Sequence, residues 1–203
     1  MYHFFPISFR IHIYRGCATI IILYFLSSYL IGSLMTGFIV SKMYRNEDIR
    51  YQGSGNVGAR NAGRIYGKMA FFITFMGDAC KGALVVWLAS YLHLSSELQL
   101  LCLLFAVIGH MKPITLIFKG GKGVSTFIGG ALLFEPFLFF VILIGFLFTY
   151  LFSRSFTIAG LISLIITPIY IYLDHAPQFD WFVFLAIVFT ILLAHSTKFR
   201  KEE

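Results

Sequence analysis

Gly53–Arg64 reads Gly-Ser-Gly-Asn-Val-Gly-Ala-Arg-Asn-Ala-Gly-Arg and lies between two strongly apolar stretches. Its glycines let the backbone turn tightly and aim several N–H groups at one point, which is how a chain captures an anion. Ser54, Asn56 and Asn61 add neutral donors and acceptors; Arg60 and Arg64 add fixed charge that grips phosphate oxygens in pairs. The chemistry these residue types point to is phosphate binding. A plain flexible loop is the alternative, and the density of amides and guanidiniums argues against it. Gly53, Gly55 and Gly58 also spell Gly-x-Gly-x-x-Gly. A dinucleotide fingerprint needs a preceding strand, and the flanks here are apolar helices, so only the glycine-amide physics carries over.

Lys119-Gly-Gly-Lys-Gly-Val-Ser-Thr126 is the second cluster. Its spacing is not that of a Walker A loop, because Lys122 is followed by Gly123. Gly120, Gly121 and Gly123 beside Lys122 still offer bare amides and a mobile ammonium at a helix start. Lys119 reads either as a ligand or as a charge anchoring the chain at a membrane surface, and Ser125 and Thr126 read as helix caps. His195 closes the last apolar run, with Ser196, Thr197 and Lys198 after it. A histidine there reads as a helix terminator or as a proton-handling group. His110, opening the second polar loop, has the weaker claim.

Two further pairs need weighing. Asp78 and Lys81 are three residues apart inside an apolar run, so they share a helix face and neutralise each other. Such a pair is either a functional site or an ion pair locking helices, and the sequence does not choose. His175 and Asp180 have the spacing of a soluble-face acyltransferase motif but fall in a connection without Lys or Arg, away from the other clusters.

The elements that must position these groups are membrane spans. Of 203 residues, 59% are hydrophobic and 12% charged, with a mean hydropathy of +0.84. A soluble domain needs more charge to cover its surface. The expected fold is all-α: a polytopic integral membrane protein of about seven spanning or half-spanning helices. Spans are expected over 17–40, 69–92 (interrupted by Gly77, Asp78, Lys81 and Gly82), 98–109, 137–152, 158–173 and 181–194. A short helix is expected over 124–134, too short to cross. Residues 1–16 read as an N-terminal extension and 17–203 as one membrane-embedded domain. Cys17, Cys80 and Cys102 lie in apolar runs without metal-like spacing and read as packing residues.

The net charge of +7 does not imply nucleic acid, because the basic residues lie in short connections. The connections after the first and third long spans, the Arg154 turn and the tail hold 13 of the 16 Lys and Arg residues. The intervening connections hold none. By the positive-inside rule the N-terminus is outside, the C-terminus is cytoplasmic, and the polar clusters face the cytoplasm.

With these clusters in place, the sequence resembles the acyl-phosphate–glycerol-3-phosphate acyltransferases, the PlsY family of bacterial inner-membrane enzymes. The likeness runs from about Tyr29 to His195, through Gly53–Arg64, Gly109–Thr126, the His195 segment and an Asp-x-x-Lys-Gly pattern at Asp78, Lys81 and Gly82. It implies transfer of a fatty acyl group from acyl phosphate to the 1-hydroxyl of sn-glycerol 3-phosphate. The products would be lysophosphatidic acid and phosphate, with no metal, cofactor, coenzyme A or acyl carrier protein. It also implies catalytic roles for His195, Lys122 and Ser54. Substrate binding falls to Gly53, Gly55, Asn56, Asn61, Arg64, Lys119, Gly120, Gly121, Gly123 and Thr157.

Three positions depart from the pattern. Arg60 stands where threonine is usual, and Lys198 where asparagine is usual. Thr157-Ile-Ala-Gly160 replaces a serine-rich stretch. A transporter of a phosphorylated metabolite is the competing class. Against it, no internal repeat links the two polar clusters, and both sit at span ends. A third reading is an inactive family member serving as a partner subunit, and Lys198 alone points there.

Overall fold

A computed structural model describes the backbone of residues 7–174 and 178–199, and the side chains of 19–174 and 178–196. His175, the side chains of Cys17 and Lys198, and the first six residues of the expected extension lie outside the described residues. Every regular element among the described residues is helical. In chain order they are α1 (Ile7–Gly32), α2 (Thr36–Arg45), α3 (Ala59–Tyr66), α4 (Lys68–Tyr91), α5 (Ser96–Met111), α6 (Val124–Phe134), α7 (Leu138–Ser153), α8 (Phe156–Leu173) and α9 (Gln178–Phe199).

Five stretches are long and apolar enough to cross a membrane: Thr19–Arg45, Lys68–Tyr91, Ser96–Leu116, Phe156–Leu173 and Gln178–Ser196. The apolar helices α6 and α7 are shorter. The span positions agree with the hydropathy reading, with two corrections. Helix α1 runs unbroken from Ile7, well ahead of the expected start at Cys17. The first expected span is two helices, because the chain breaks at 33–35 between α1 and α2. The polar residues at 77–82 interrupt only the apolar composition: α4 runs straight through them, as the shared helix face of Asp78 and Lys81 requires.

The break between α1 and α2 frees carbonyls in an apolar setting, where each must find a donor. Lys81 Nζ donates to the Leu34 carbonyl at 2.7 Å, and Thr115 Oγ1 donates to the Ser33 carbonyl at 2.8 Å. Lys81 Nζ also lies 3.0 Å from Asp78 Oδ1. The Asp78–Lys81 pair is therefore a lock between α4 and the α1–α2 break. The carboxylate has this ion-pair contact yet accepts no well-aligned hydrogen bond among the described residues.

Inside, the main apolar core joins α4 to α9 around Val86, Leu100, Leu103, Phe127, Leu164, Phe184 and Ile187. The Phe127 and Phe184 rings meet edge to face, with centroids 5.9 Å apart. Outside, α7 turns Phe139, Phe140, Ile144, Leu147, Phe148, Leu151 and Phe152 outward. An apolar exterior of that extent is suited to lipid rather than water. Cys102 is buried among apolar neighbours as expected, whereas Cys80 points outward and is not a packing residue.

Helices α4 and α6 cross at a seam where the backbones touch. A Cβ at Gly129 would overlap the Ala79 backbone, and one at Gly82 would overlap Thr126 and Gly130. Small residues at such crossings let helices approach closely in a bilayer, where no hydrophobic drive pulls them together. Gly129→Val is expected to cost at least about 1–3 kcal/mol through overpacking, read as a lower unfolding temperature of the purified protein. Gly160 has nothing within 4 Å of its Cβ position, so Gly160→Ala is the control and should leave that temperature unchanged or raised. Equal behaviour of the two variants would overturn the seam.

Candidate active site

The connection from α2 to α3 is held by its own polar groups. Asp48 accepts from the Arg50 backbone N–H at 2.9 Å, which caps a 3-10 turn over Ile49–Tyr51. Its carboxylate also takes the Arg50 guanidinium, Nη2 to Oδ2 at 2.6 Å. Arg50 Nη1 donates to the Leu116 carbonyl at 3.0 Å, so this one side chain ties the first polar loop to the second. Beneath them Met35, Val40, Ile49, Val57, Ala62, Ala70 and Leu116 form a small apolar core. Hydrogen bonding to Arg50 holds the Asp48 carboxyl below the usual carboxylate range.

The glycine loop then turns through Gly53 and Gly55, whose φ values are +54° and +68°. Glycine adopts that region without strain. Asn61, 1% exposed, reaches back from α3 and stitches the turn. Its Oδ1 accepts from the Ser54 N–H at 2.9 Å, and its Nδ2 donates to the carbonyls of Gln52 and Asn56, both at 2.9 Å. Both amide protons are thus used within the loop. Asn61 shapes the turn that carries the other residues of the loop. Gly53, Ser54, Arg60 and Arg64 are exposed, and Asn56 is half-buried. Arg60 and Arg64 are four apart on α3 and so share a face.

The second loop is built on the end of α5. The Gly121 N–H donates to the His110 carbonyl at 3.0 Å. Gly123, with φ +82°, is the residue that starts α6. Ser125 and Thr126 therefore lie inside the helix and do not cap it; the Thr126 hydroxyl is buried 3.2 Å from His110 Nδ1. Lys119 is exposed, and Gly120, Gly121 and Lys122 are half-buried.

These loops meet the end of α9 and the start of α8. Lys122 and Arg60 both act electrostatically on His195, and Arg60 Nη1 donates to the Thr157 hydroxyl. His195 is 8% exposed, with Nδ1 2.8 Å from the Ile191 carbonyl. A carbonyl only accepts, so Nδ1 carries the proton and Nε2 of the neutral ring keeps its lone pair. The structure thus brings Ser54, Arg60, Lys122, Thr157 and His195 to one end of the bundle. Asp180 is buried in the first turn of α9, at the other end of that helix from His195, and His175 lies outside the described residues. Sequence reasoning missed Asp48 and Arg50; their spacing of two, an acceptor just before a turn and a guanidinium inside it, was the available signal.

Asn61→Asp would set a carboxylate against two carbonyls. It is expected to destabilise by about 1–3 kcal/mol for each unmet group; inorganic phosphate is expected to raise the unfolding temperature of the wild-type protein and not that of this variant. Retained phosphate stabilisation would mean the turn does not bind anions. For Asp48 the folded-state value is lowered, so its stabilising contribution is complete above the unfolded value of about 3.9 and disappears as pH falls through the lowered one. The unfolding temperature of Asp48→Asn should therefore fall less steeply than that of wild type between about pH 6 and pH 3. Parallel curves would dissolve the Asp48–Arg50 brace.

Comparison with known proteins agrees with this geometry. The family profile described as glycerol-3-phosphate acyltransferase matches residues 22–202. Glycerol-3-phosphate acyltransferase 1 of Bacillus cereus is 49% identical over 147 residues, which is 72% of this chain and 81% of the relative. The enzyme of the same name from Desulfitobacterium hafniense is 42% identical over 177 residues, 87% of each chain. The crystal structure of PlsY, an integral membrane glycerol 3-phosphate acyltransferase, in its glycerol 3-phosphate form matches with a TM-score of 0.82. That match has 28% identity and covers 89% of this chain and 90% of that one. Its lysophosphatidic acid form matches with a TM-score of 0.80 at 27% identity. An all-helical, multi-pass membrane protein, this chain belongs to the glycerol-3-phosphate acyltransferase family.

Proposed function

We infer that this chain transfers a fatty acyl group from acyl phosphate to the 1-hydroxyl of sn-glycerol 3-phosphate, giving lysophosphatidic acid and inorganic phosphate. The observation that carries this reading is the meeting of the glycine loop, Lys122 and His195 at one end of an apolar bundle. Both substrates bring phosphate, and one brings a long acyl chain. Cations and amides at the membrane edge suit the first, and an apolar surface leading into the bilayer suits the second.

The hydroxyl oxygen attacks the acyl carbonyl carbon, an ester C–O bond forms, and the C–O bond to phosphate breaks. Lys122 and Arg64 hold phosphate oxygens, with Arg60 and Lys119 adding charge. Ser54, Asn56, Thr157 and the amides of Gly53, Gly55, Gly120, Gly121 and Gly123 orient them. His195 Nε2, left with its lone pair, accepts the hydrogen bond of the attacking hydroxyl, whose proton ends on the released phosphate. An acyl phosphate is already activated, so positioning and charge stabilisation supply the remaining catalysis. The donor needs neither coenzyme A nor acyl carrier protein.

The charge pattern supports the orientation. The loops of this site belong to the connections that hold 13 of the 16 Lys and Arg residues, so the site faces the cytoplasm of a bacterial inner membrane, with the N-terminus outside.

Purified protein given palmitoyl phosphate and glycerol 3-phosphate should release phosphate and lysophosphatidic acid in equal amounts. Lys122→Ala should lower both by about a hundredfold or more. Phosphate without the lipid would mean that the donor is cleaved but the acceptor site is altered, pointing to Arg60 and Lys198. Neither product, from wild-type protein with an intact melting transition, would overturn the assignment.

A further inference from the structure

The buried polar chain behind the second loop has no place in the reaction as drawn. It starts at the Leu34 carbonyl, which takes Lys81 Nζ at 2.7 Å, and runs through Asp78, whose Oδ1 is 3.0 Å from that ammonium. Next comes His110, with Nδ1 3.8 Å from Asp78 Oδ1 and 3.2 Å from Thr126 Oγ1. None of the four side chains is more than 6% exposed. Groups this buried persist only where the neighbouring structure holds them in place.

His110 touches the glycine–lysine loop twice. Its carbonyl accepts the Gly121 N–H at 3.0 Å, and its Nε2 edge lies so close to Gly121 that a Cβ there would overlap the ring. Gly120 likewise has no room for a Cβ beside the His110 carbonyl and Pro113. Three of the five residues in Lys119–Gly123 are glycines. Such a segment loses more conformational freedom on ordering than any other and has few side chains with which to hold itself. The rigid surface it needs is the His110 ring, and the ring is in turn fixed by Thr126 and Asp78.

We propose that His110 is a positioning residue for the reaction, holding the glycine–lysine loop so that Lys122 is preorganised for phosphate, through the chain Lys81–Asp78–His110–Thr126. This rests on the reading that Lys122 holds a substrate phosphate. His110 itself touches no substrate. Without it the loop samples other shapes, and each binding event must order it again.

The test compares His110→Phe, which keeps an aromatic ring, though a larger one, and loses both nitrogens, with Thr126→Val and Thr126→Ser, which remove and keep the hydroxyl partner. Lys122→Arg marks the substrate whose phosphate Lys122 holds. That same substrate's KM should rise about tenfold in His110→Phe and several-fold in Thr126→Val, with kcat changed far less, and Thr126→Ser should restore it. Stabilisation by inorganic phosphate in thermal unfolding reads the loop without turnover. It should shrink in His110→Phe and Thr126→Val and persist in Thr126→Ser. It therefore decides the proposal even if wild type fails to make lysophosphatidic acid.

Three outcomes would overturn the proposal: a fall in kcat at unchanged KM, a raised KM for the other substrate only, or Thr126→Ser as impaired as Thr126→Val. If His110→Phe does not fold, the Thr126 pair decides alone.

Discussion

Lys81 reaches from the middle of α4 to a carbonyl that a broken helix leaves bare. In water the Leu34 carbonyl would be solvated at no cost; in an apolar bundle it must be paired or the break cannot exist. The break matters because it redirects the chain. Helix α2 departs there, carries Val40 into the small core under the loop, which Met35 of the break also joins, and leads on to the glycine turn. Asp78 makes the ammonium tolerable, since an isolated buried charge would cost far more than a paired one. The same carboxylate faces His110, whose carbonyl and ring lie against the second loop. One ion pair thereby supports both phosphate-type segments.

Around that pair the molecule separates two environments. Glycine seams such as Gly82–Thr126 and Gly129–Ala79 pack the interior tightly, and large aromatic and aliphatic side chains cover the outside. The cations of the proposed chemistry are treated differently from Lys81. Arg60, Arg64 and Lys119 are exposed outside the five apolar stretches long enough to cross a membrane, where water offsets their charge. Arg50 supplies geometry instead: its guanidinium is occupied by Asp48 and the Leu116 carbonyl.

Much of this was legible in the sequence because hydropathy and composition report it directly. The spans stand out as apolar runs, and Gly53–Arg64 as a concentration of glycine, amide and guanidinium that no span needs. The break at 33–35 was hidden because Leu34 and Met35 are apolar and keep the hydropathy high; its cause, the Lys81 contact, lies 47 positions away. Asn61 shows a different limit. Its residue type does not report that it stitches the turn; the Gln52, Ser54 and Asn56 backbone groups that it meets become visible only in the fold. Thr126 likewise resembles a helix cap in sequence. It fails to be one because Gly123 starts the helix and His110 takes the hydroxyl.

The cationic edge also explains why so little acid–base machinery is needed for the proposed reaction. Near pH 7 each substrate phosphate carries nearly two negative charges, and two such groups repel as the hydroxyl closes to about 3–3.5 Å from the acyl carbon. Fixed cations on both sides of that gap lower the repulsion in the complex and stabilise the charge that shifts onto the leaving phosphate. Lys122 sits at the end of a loop pinned by His110, whereas Arg60 reaches across from α3 to Thr157 on α8. Both act on His195. In the proposed reaction an arginine at position 60 adds to the positive field at His195, next in sequence to the asparagine that stitches the glycine turn.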